Sequence, residues 1–164
     1  MNDIQFKSAI GVDHNPSGVV SALIEFMKSD PSRKYVVTIG TDSELFSKTT
    51  ADFVTAIVVH RVGNGGRYFW RRLKIEGFHT IRDRILQEVM TSLETAKFIL
   101  AELKAMNSPE FKLEIHIDVG ENGETKTMIQ ELVGIIRAND FEPKTKPDSY
   151  AASKVADRHG LKND

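Results

Sequence analysis

The chain has 164 residues, about the length of one ordinary domain, and its 40% hydrophobic content is typical of a globular protein. It contains no cysteine, which excludes a disulfide scaffold, a cysteine-ligated zinc site, an iron–sulfur centre and a thiol nucleophile. The 22 Lys and Arg residues against 23 Asp and Glu residues leave a formal charge of -1, so any nucleic-acid binding must depend on a local basic patch.

Neither membrane insertion nor export is predicted. No apolar run approaches the roughly 20 residues of a membrane span. The N-terminal segment Met1–Gly11 lacks the charged and apolar regions of a secretory signal. We therefore expect a cytoplasmic protein without a membrane partner.

The first half of the chain predicts one helix and then three strands. Asn15 is a favourable N-cap, Pro16 suits the first helical position, and apolar residues recur at helical spacing over about 16–29. Three segments rich in β-branched residues follow, with polar or glycine-rich turns between them. The strands are Tyr35–Thr41, Phe53–Val62 and Arg67–Ile75, and the turns are Ser43–Ala51 and Gly63–Gly66.

In the second half, helices alternate with strands. From Thr80 onward, apolar residues recur every three or four positions and predict a long helix that ends near Asn107. The later elements are the strand Leu113–Val119, the helix Thr125–Ala138, the strand Phe141–Lys146 and a helix that Asp148 or Ser149 would cap. This order predicts one α/β domain over residues 1–164. Its mixed five-stranded sheet combines an antiparallel meander with parallel strands and carries helices on both faces.

Two aspartates follow the candidate central strands of this sheet. Asp42 comes after the first predicted strand, and Asp118 lies near the end of the fourth. If these strands are parallel neighbours, the two carboxylates lie side by side, repel each other, and would be stabilised by a divalent cation. Each aspartate alone could equally well cap a turn or a helix.

Other acids could complete such a site. Glu88 lies at the edge of the buried stripe of the long helix, although an exposed ion pair with Arg84 is its ordinary alternative. Asp157 lies late in the last helix, where small alanines would allow close packing. Asp148 competes with Asp157 as the fourth acid, but its place after Pro147 suits a helix cap.

The order of elements, with acids at Asp42, Glu88, Asp118 and Asp157, resembles the ribonuclease H-like fold. Three segments are similar, more narrowly, to the YkuK-type family of uncharacterised bacterial proteins in that superfamily. They are Ile39–Ser43, His116–Gly120 and Lys144–Ser153. The resemblance spans roughly residues 16–162.

The resemblance implies a divalent-metal-dependent nuclease or phosphodiesterase that uses two Mg²⁺ or Mn²⁺ ions for in-line hydrolysis. Asp42 would bridge the two ions, Glu88 and Asp118 would hold one of them, and Asp157 would hold the other. His159 could assist proton transfer or product release. Ser43 stands where ribonuclease H proper usually has glycine, and no insertion supplies a basic substrate-gripping helix, so specificity for RNA–DNA hybrids is not implied.

Nucleic acid is the expected partner, through basic side chains near the strands. On the third predicted strand, Arg72 and Lys74 share a face with Tyr68 and Trp70, whereas Arg71 points to the other face. Lys144 and Lys146 form a second patch. Basic residues also protect an exposed strand edge from aggregation, which is an equally ordinary role.

Two other functions remain open. The same fold could serve as a non-catalytic binding or scaffold module. A lesser alternative is a nucleotide-binding P-loop-like protein, because Gly120–Thr127 nearly fits G-x-x-x-x-G-K-[ST], with Thr125 in place of the required glycine. His116 alternates with Asp118 and could orient it, or it could be a half-buried strand histidine.

Overall fold

The computed structural model describes residues 4–123 and 125–159, which form seven strands and four α-helices. The strands are β1 (Phe6–Ser8), β2 (Asp13–His14), β3 (Tyr35–Leu45), β4 (Thr50–Arg61), β5 (Gly66–Glu76), β6 (Lys112–His116) and β7 (Glu142–Lys144). The helices are α1 (Pro16–Lys28), α2 (Ile81–Ala105), α3 (Ile129–Ala138) and α4 (Ala151–Arg158), and a 3₁₀ turn covers Lys126–Met128. No helix within these described residues is long and apolar enough to cross a bilayer.

All seven strands belong to one sheet, in the order β2-β1-β5-β4-β3-β6-β7. The predicted mixed sheet is confirmed, because β3, β4 and β5 form an antiparallel meander and β6 and β7 add to β3 in parallel. The predicted number of five strands is wrong, because β1 and β2 extend the sheet beyond β5. These two strands have only three and two residues, too few to show a sequence period.

Several predicted boundaries are also wrong. Ser43–Ala51 is not one polar turn, because β3 and β4 remain paired as far as Leu45 and Ala51. Polar residues fit there because this end of the meander carries exposed side chains. The strand predicted to reach Val119 ends at His116. Just beyond it, the N–H of Ile117 donates to the carbonyl of Lys144 in β7 at 2.9 Å.

The segment that nearly fits a P-loop does not lead directly into an α-helix. The helix predicted from Thr125 begins at Ile129, after the 3₁₀ turn. A P-loop presents its phosphate to the N-terminus of the helix that follows it. This geometry is unfavourable for the nucleotide-binding alternative. Glu124 of this segment lies outside the described residues.

Helices cover the two faces of the sheet unequally. Helices α1, α2 and α3 pack on one face, where Val37, Ile39, Ile57 and Val59 contribute to the main core. Helix α4 packs on the opposite face, in a small cluster that includes Val54 of β4. Because side chains alternate between faces along a strand, β3 directs Thr41 and Ser43 toward α2 and directs Gly40 and Asp42 toward the α4 face.

Candidate functional site

Strands β3 and β6 bring Asp42 and Asp118 to the same end of the sheet. The two strands are parallel neighbours, which meets the condition set in the sequence analysis, and their last paired residues are Gly40 and His116. Each aspartate follows its paired residue by two positions. Asp42 lies inside β3 rather than after it and is only 6% exposed, whereas the Asp118 side chain, beyond β6, is 23% exposed.

Glu88 is the buried carboxylate of the site, with 3% exposure on the inner side of α2. Its Oε1 accepts a hydrogen bond from the Ser43 hydroxyl, while its Oε2 is buried without a hydrogen-bond partner. Burial raises the pKa of Glu88 well above its ordinary value, and the Asp42 and Asp118 charges add to this increase. The hydrogen bond from Ser43 and the charge of Arg84 oppose the increase.

These interactions make Asp42, Glu88 and Asp118 electrostatic neighbours, but they do not form a closed ligand set. Within residues 4–123 and 125–159, no three Asp, Glu or His side chains converge on one point where an ion could sit. Asp42 Oδ1 accepts the backbone N–H of Ser43 at 3.0 Å, and Asp118 Oδ1 pairs with the Lys146 ammonium at 3.0 Å. The structure therefore brings three of the four predicted acids into one region, where their local partners hold them.

The two candidates for the fourth acid lie in different surroundings. Asp157 is exposed on α4, one helical turn after Ser153, which borders a recess beside Asp118. Asp148 is exposed in the loop before α4, and its charge acts on His116. Asp42 and Asp118 are among the groups that raise the pKa of Glu88, and neither Asp157 nor Asp148 is among them.

His116 has a structural role that the sequence did not reveal. The predicted cap of α4 at Asp148 or Ser149 is wrong, because the N-cap is Tyr150 and its side chain makes no capping bond. Instead, Nδ1 of His116 accepts the backbone N–H groups of Tyr150 at 3.1 Å and Ala151 at 3.4 Å. Burial lowers the pKa of His116, which favours the neutral form that can accept at Nδ1. His116 therefore anchors α4 rather than orienting Asp118.

His159 packs against β5 and is partly exposed. Its ring stacks on Trp70 with the centroids 4.1 Å apart, and its Nε2 lies 3.1 Å from the Tyr68 hydroxyl. These contacts attach the end of α4 to β5. Its predicted part in proton transfer or product release stays a prediction.

The predicted basic residues do not form one patch. Arg71 points to the α2 face, where its guanidinium lies 5.7 Å from the Phe6 ring centroid and burial lowers its pKa. Arg72 and Lys74 are exposed on the α4 face of β5. Lys144 lies 3.8 Å from Glu142, and Lys146 pairs with Asp118. The ion pair between Lys146 and Asp118 was not predicted from the sequence. The signal that could have indicated it is the position of Lys146 just after β7, the strand that pairs with β6.

Asp118 borders a small recess. The recess beside Asp118, lined by Thr41, His116 and Ser149 among others, measures about 10 Å³ and could hold about one water molecule. A groove of about 830 Å³ lies at the far edge of the sheet, between α1 and the β1–β2 turn, and none of the four predicted acids lines it. The recess beside Asp118 is therefore too small to enclose a small-molecule ligand.

Comparison with known proteins gives a family match over most of the chain. A family model described as ribonuclease H-like matches residues 18–160. The uncharacterized protein YkuK of Bacillus subtilis (strain 168) is 36% identical over 154 residues, which cover 85% of this chain and 87% of that protein. No solved structure matches the chain significantly. The matched range contains all four predicted acids and leaves out β1 and β2.

Proposed function

Because the chain belongs to the ribonuclease H-like family, in which YkuK is its relative, we propose that it hydrolyses phosphodiester bonds in nucleic acid with Mg²⁺ or Mn²⁺. The observation that carries this proposal is the buried Glu88 carboxylate, whose Oε2 has no hydrogen-bond partner and which lies beside two further acids. A buried charge without a partner is unfavourable, and a divalent cation is the ligand that would stabilise it.

The residues fit a hard cation. Carboxylate oxygens are the ligands that Mg²⁺ and Mn²⁺ prefer, and Asp42, Glu88 and Asp118 supply them from a strand, a helix and a loop. Asp42 and Glu88 would hold the cation on the buried side, and Asp118 would hold it on the more exposed side. Asp157 would add a ligand from α4. Small movements of the carboxylates toward the cation are required, because Ser43 and Lys146 engage them in the structure.

In the proposed reaction, a water oxygen forms a bond to phosphorus and the bond from phosphorus to the leaving oxygen breaks. The water proton passes to solvent or to the leaving oxygen. A divalent cation supplies the positive charge that activates water and stabilises the negative charge gathered in the transition state. Ionised Asp42, Glu88 and Asp118 position that charge, and Lys146, when it leaves Asp118, can neutralise a phosphate at the surface.

The test is cleavage of end-labelled single-stranded DNA, single-stranded RNA, their duplexes and a hybrid by the full chain. We expect cleavage in Mn²⁺ or Mg²⁺ and none in EDTA. Loss of a residue that only hydrogen-bonds to a metal ligand typically costs about 10- to 100-fold in metal affinity or activity, and loss of a ligand should cost at least as much. Asp42→Asn should therefore lower the cleavage rate by about 100-fold or more. Asp157→Asn should also lower the rate, and Asp148→Asn should not.

Asp13→Asn is the matched control, because Asp13 is an exposed acid paired with Lys7 on the β1–β2 edge. Melting in EDTA shows whether each variant is folded. If folded wild-type protein cleaves none of these substrates and its melting temperature does not respond to metal, the proposal fails and a non-catalytic module of the same fold is favoured.

A further inference from the structure

The uncovered end of the α4 face carries an aromatic residue among basic side chains. Phe46 follows β3 at the tip of the β3–β4 hairpin and is 65% exposed. The ammonium of Lys74 lies 3.7 Å from the centroid of its ring, and Arg72 is exposed two residues earlier on β5. The ring thus has one face against a cation and retains a large surface open to solvent.

This surface is on the same face as Asp42. In the cross-strand register, Asp42 pairs with Val54 and Val54 pairs with Arg72, while Glu44, Asp52 and Lys74 form the next row. With about 4.8 Å between strands and about 3.4 Å per residue, Arg72 lies about 10 Å from Asp42 across the sheet, and Phe46 lies about 14 Å from Asp42 along β3. Helix α4 leaves this end open, since it packs over Gly40, where an added Cβ would lie 3.2 Å from the Cβ of Ala152.

The charge on this face changes from one strand to another. On this face, β3 carries the acidic residues Asp42 and Glu44, and β5 carries the basic residues Arg72 and Lys74. The basic stretch of β5 ends at Glu76, the last residue of the strand. Asp52, between the two sides, is buried and directs an oxygen toward Nε of Arg72 at 3.8 Å. A polyanion would therefore follow β5, with its backbone directed away from Glu44.

We propose that Phe46, Lys74 and Arg72 form a binding subsite for single-stranded nucleic acid, in which an unpaired base stacks on Phe46 and the phosphates contact the two cations. The inference rests on the proposed function, since it places this subsite beside the proposed site of hydrolysis. The distance of about 14 Å from Phe46 to Asp42 corresponds to about four nucleotides at the roughly 3.4 Å spacing of a stacked strand. In a stretched strand, fewer nucleotides separate the stacked base from the scissile phosphate.

The geometry favours a single strand over a duplex or a protein. In a duplex each base is covered on both faces by its neighbours, whereas an unpaired base offers its face to an aromatic side chain. The nearby exposed apolar residues Leu45 and Leu73 alternate with Glu44 and Lys74 and point to the opposite face, so Phe46 is not part of a continuous apolar patch.

The test measures binding in EDTA by fluorescence anisotropy, so that it does not depend on catalysis. The probes are fluorescein-labelled oligo-dT and oligo-U and a mixed-sequence DNA duplex. Phe46→Ala should weaken single-strand binding by about 5- to 140-fold, which is the range for one base-stacking aromatic, and should leave duplex binding unchanged. Phe46→Trp should preserve the affinity, and its added indole fluorescence should be quenched by oligo-dT.

Two further variants sharpen the result. Lys74→Ala should reduce the slope of log affinity against log salt by about 0.7, as expected for one phosphate contact on a single strand. Ile10→Ala is the matched control, because Ile10 is 87% exposed on the β1–β2 turn at the other edge of the sheet. It should leave the affinity unchanged.

The outcomes separate this inference from the proposed function. Equal affinity of Phe46→Ala and wild-type protein for single strands overturns the subsite, and so does wild-type binding of the duplex alone or of no probe. A change in sedimentation on Phe46→Ala without a change in oligonucleotide affinity would make the hairpin a protein contact and overturn it as well. Loss of affinity in Phe46→Ala together with absence of metal-dependent cleavage retains the subsite and rejects the hydrolase.

Discussion

Replacing Glu88 by glutamine tests the electrostatics at the centre of the site. Glutamine retains an oxygen that can accept the Ser43 hydroxyl, and it replaces the partnerless Oε2 by an uncharged amide beside Asp42. Because the pKa of Glu88 is raised in the folded protein, the folded state holds a proton that the unfolded state has already released. Stability must therefore fall as pH rises from about 4.5, the ordinary pKa of this carboxyl, through the raised pKa.

The magnitude follows from one proton. Within that window, wild-type protein should lose up to about 1.4 kcal/mol of unfolding free energy per pH unit relative to Glu88→Gln. For a chain of this size, this corresponds to about 3–5 °C in melting temperature per pH unit. Glu94→Gln is the control, because Glu94 is exposed on the same helix, and it should follow the wild-type pH dependence.

Thermal melts in EDTA from acidic to mildly basic pH measure this difference, and the same melts with Mn²⁺ measure its link to metal. At a Mn²⁺ concentration of about 100 times the dissociation constant, wild-type protein should gain about 2.7 kcal/mol, or about 5–11 °C, and Glu88→Gln should gain little. Identical pH profiles for Glu88→Gln and wild type in EDTA would refute the assignment of Glu88 as an unfavourably buried carboxyl.

Two other changes probe the supports of the site. Lys146→Met should tighten Mn²⁺ binding by up to about 5-fold in calorimetric titration, because it releases Asp118 from a partly exposed ion pair, whereas Lys144→Met should have no effect. Gly40→Ala should destabilise the protein by about 1–3 kcal/mol in urea, because its Cβ would lie 3.2 Å from both the Ala152 Cβ and the His116 carbonyl oxygen. Gly134→Ala on α3 meets nothing within 4 Å and should be neutral or stabilising; an equal loss of stability in both glycine variants would show that α4 does not pack closely on β3.

Features determined by neighbouring residues could be predicted from the sequence. Asn15 caps α1, with its Oδ1 accepting the N–H of Gly18 at 2.7 Å. Thr80 caps α2 in the same way, with its Oγ1 accepting the N–H of Asp83 at 3.1 Å. The glycine-rich turn joins β4 and β5, and the alternation of Arg71 and Arg72 between the two faces of β5 is confirmed. These features depend on backbone geometry and side-chain period within a few residues, whereas the sequence left the parallel pairing of β3 with β6 as a condition that the structure meets.

Contacts between distant segments decided the rest. His116 replaces a local cap of α4 from 34 residues away, Lys146 pairs with Asp118, and Ser43 donates to Glu88 from 45 residues away. The short strands β1 and β2 exist because β5 offers them an edge. Such contacts depend on which surfaces the folded core brings together. The sequence could therefore name the candidate acids, while only the tertiary structure determined which of them are neighbours and which side chains engage them.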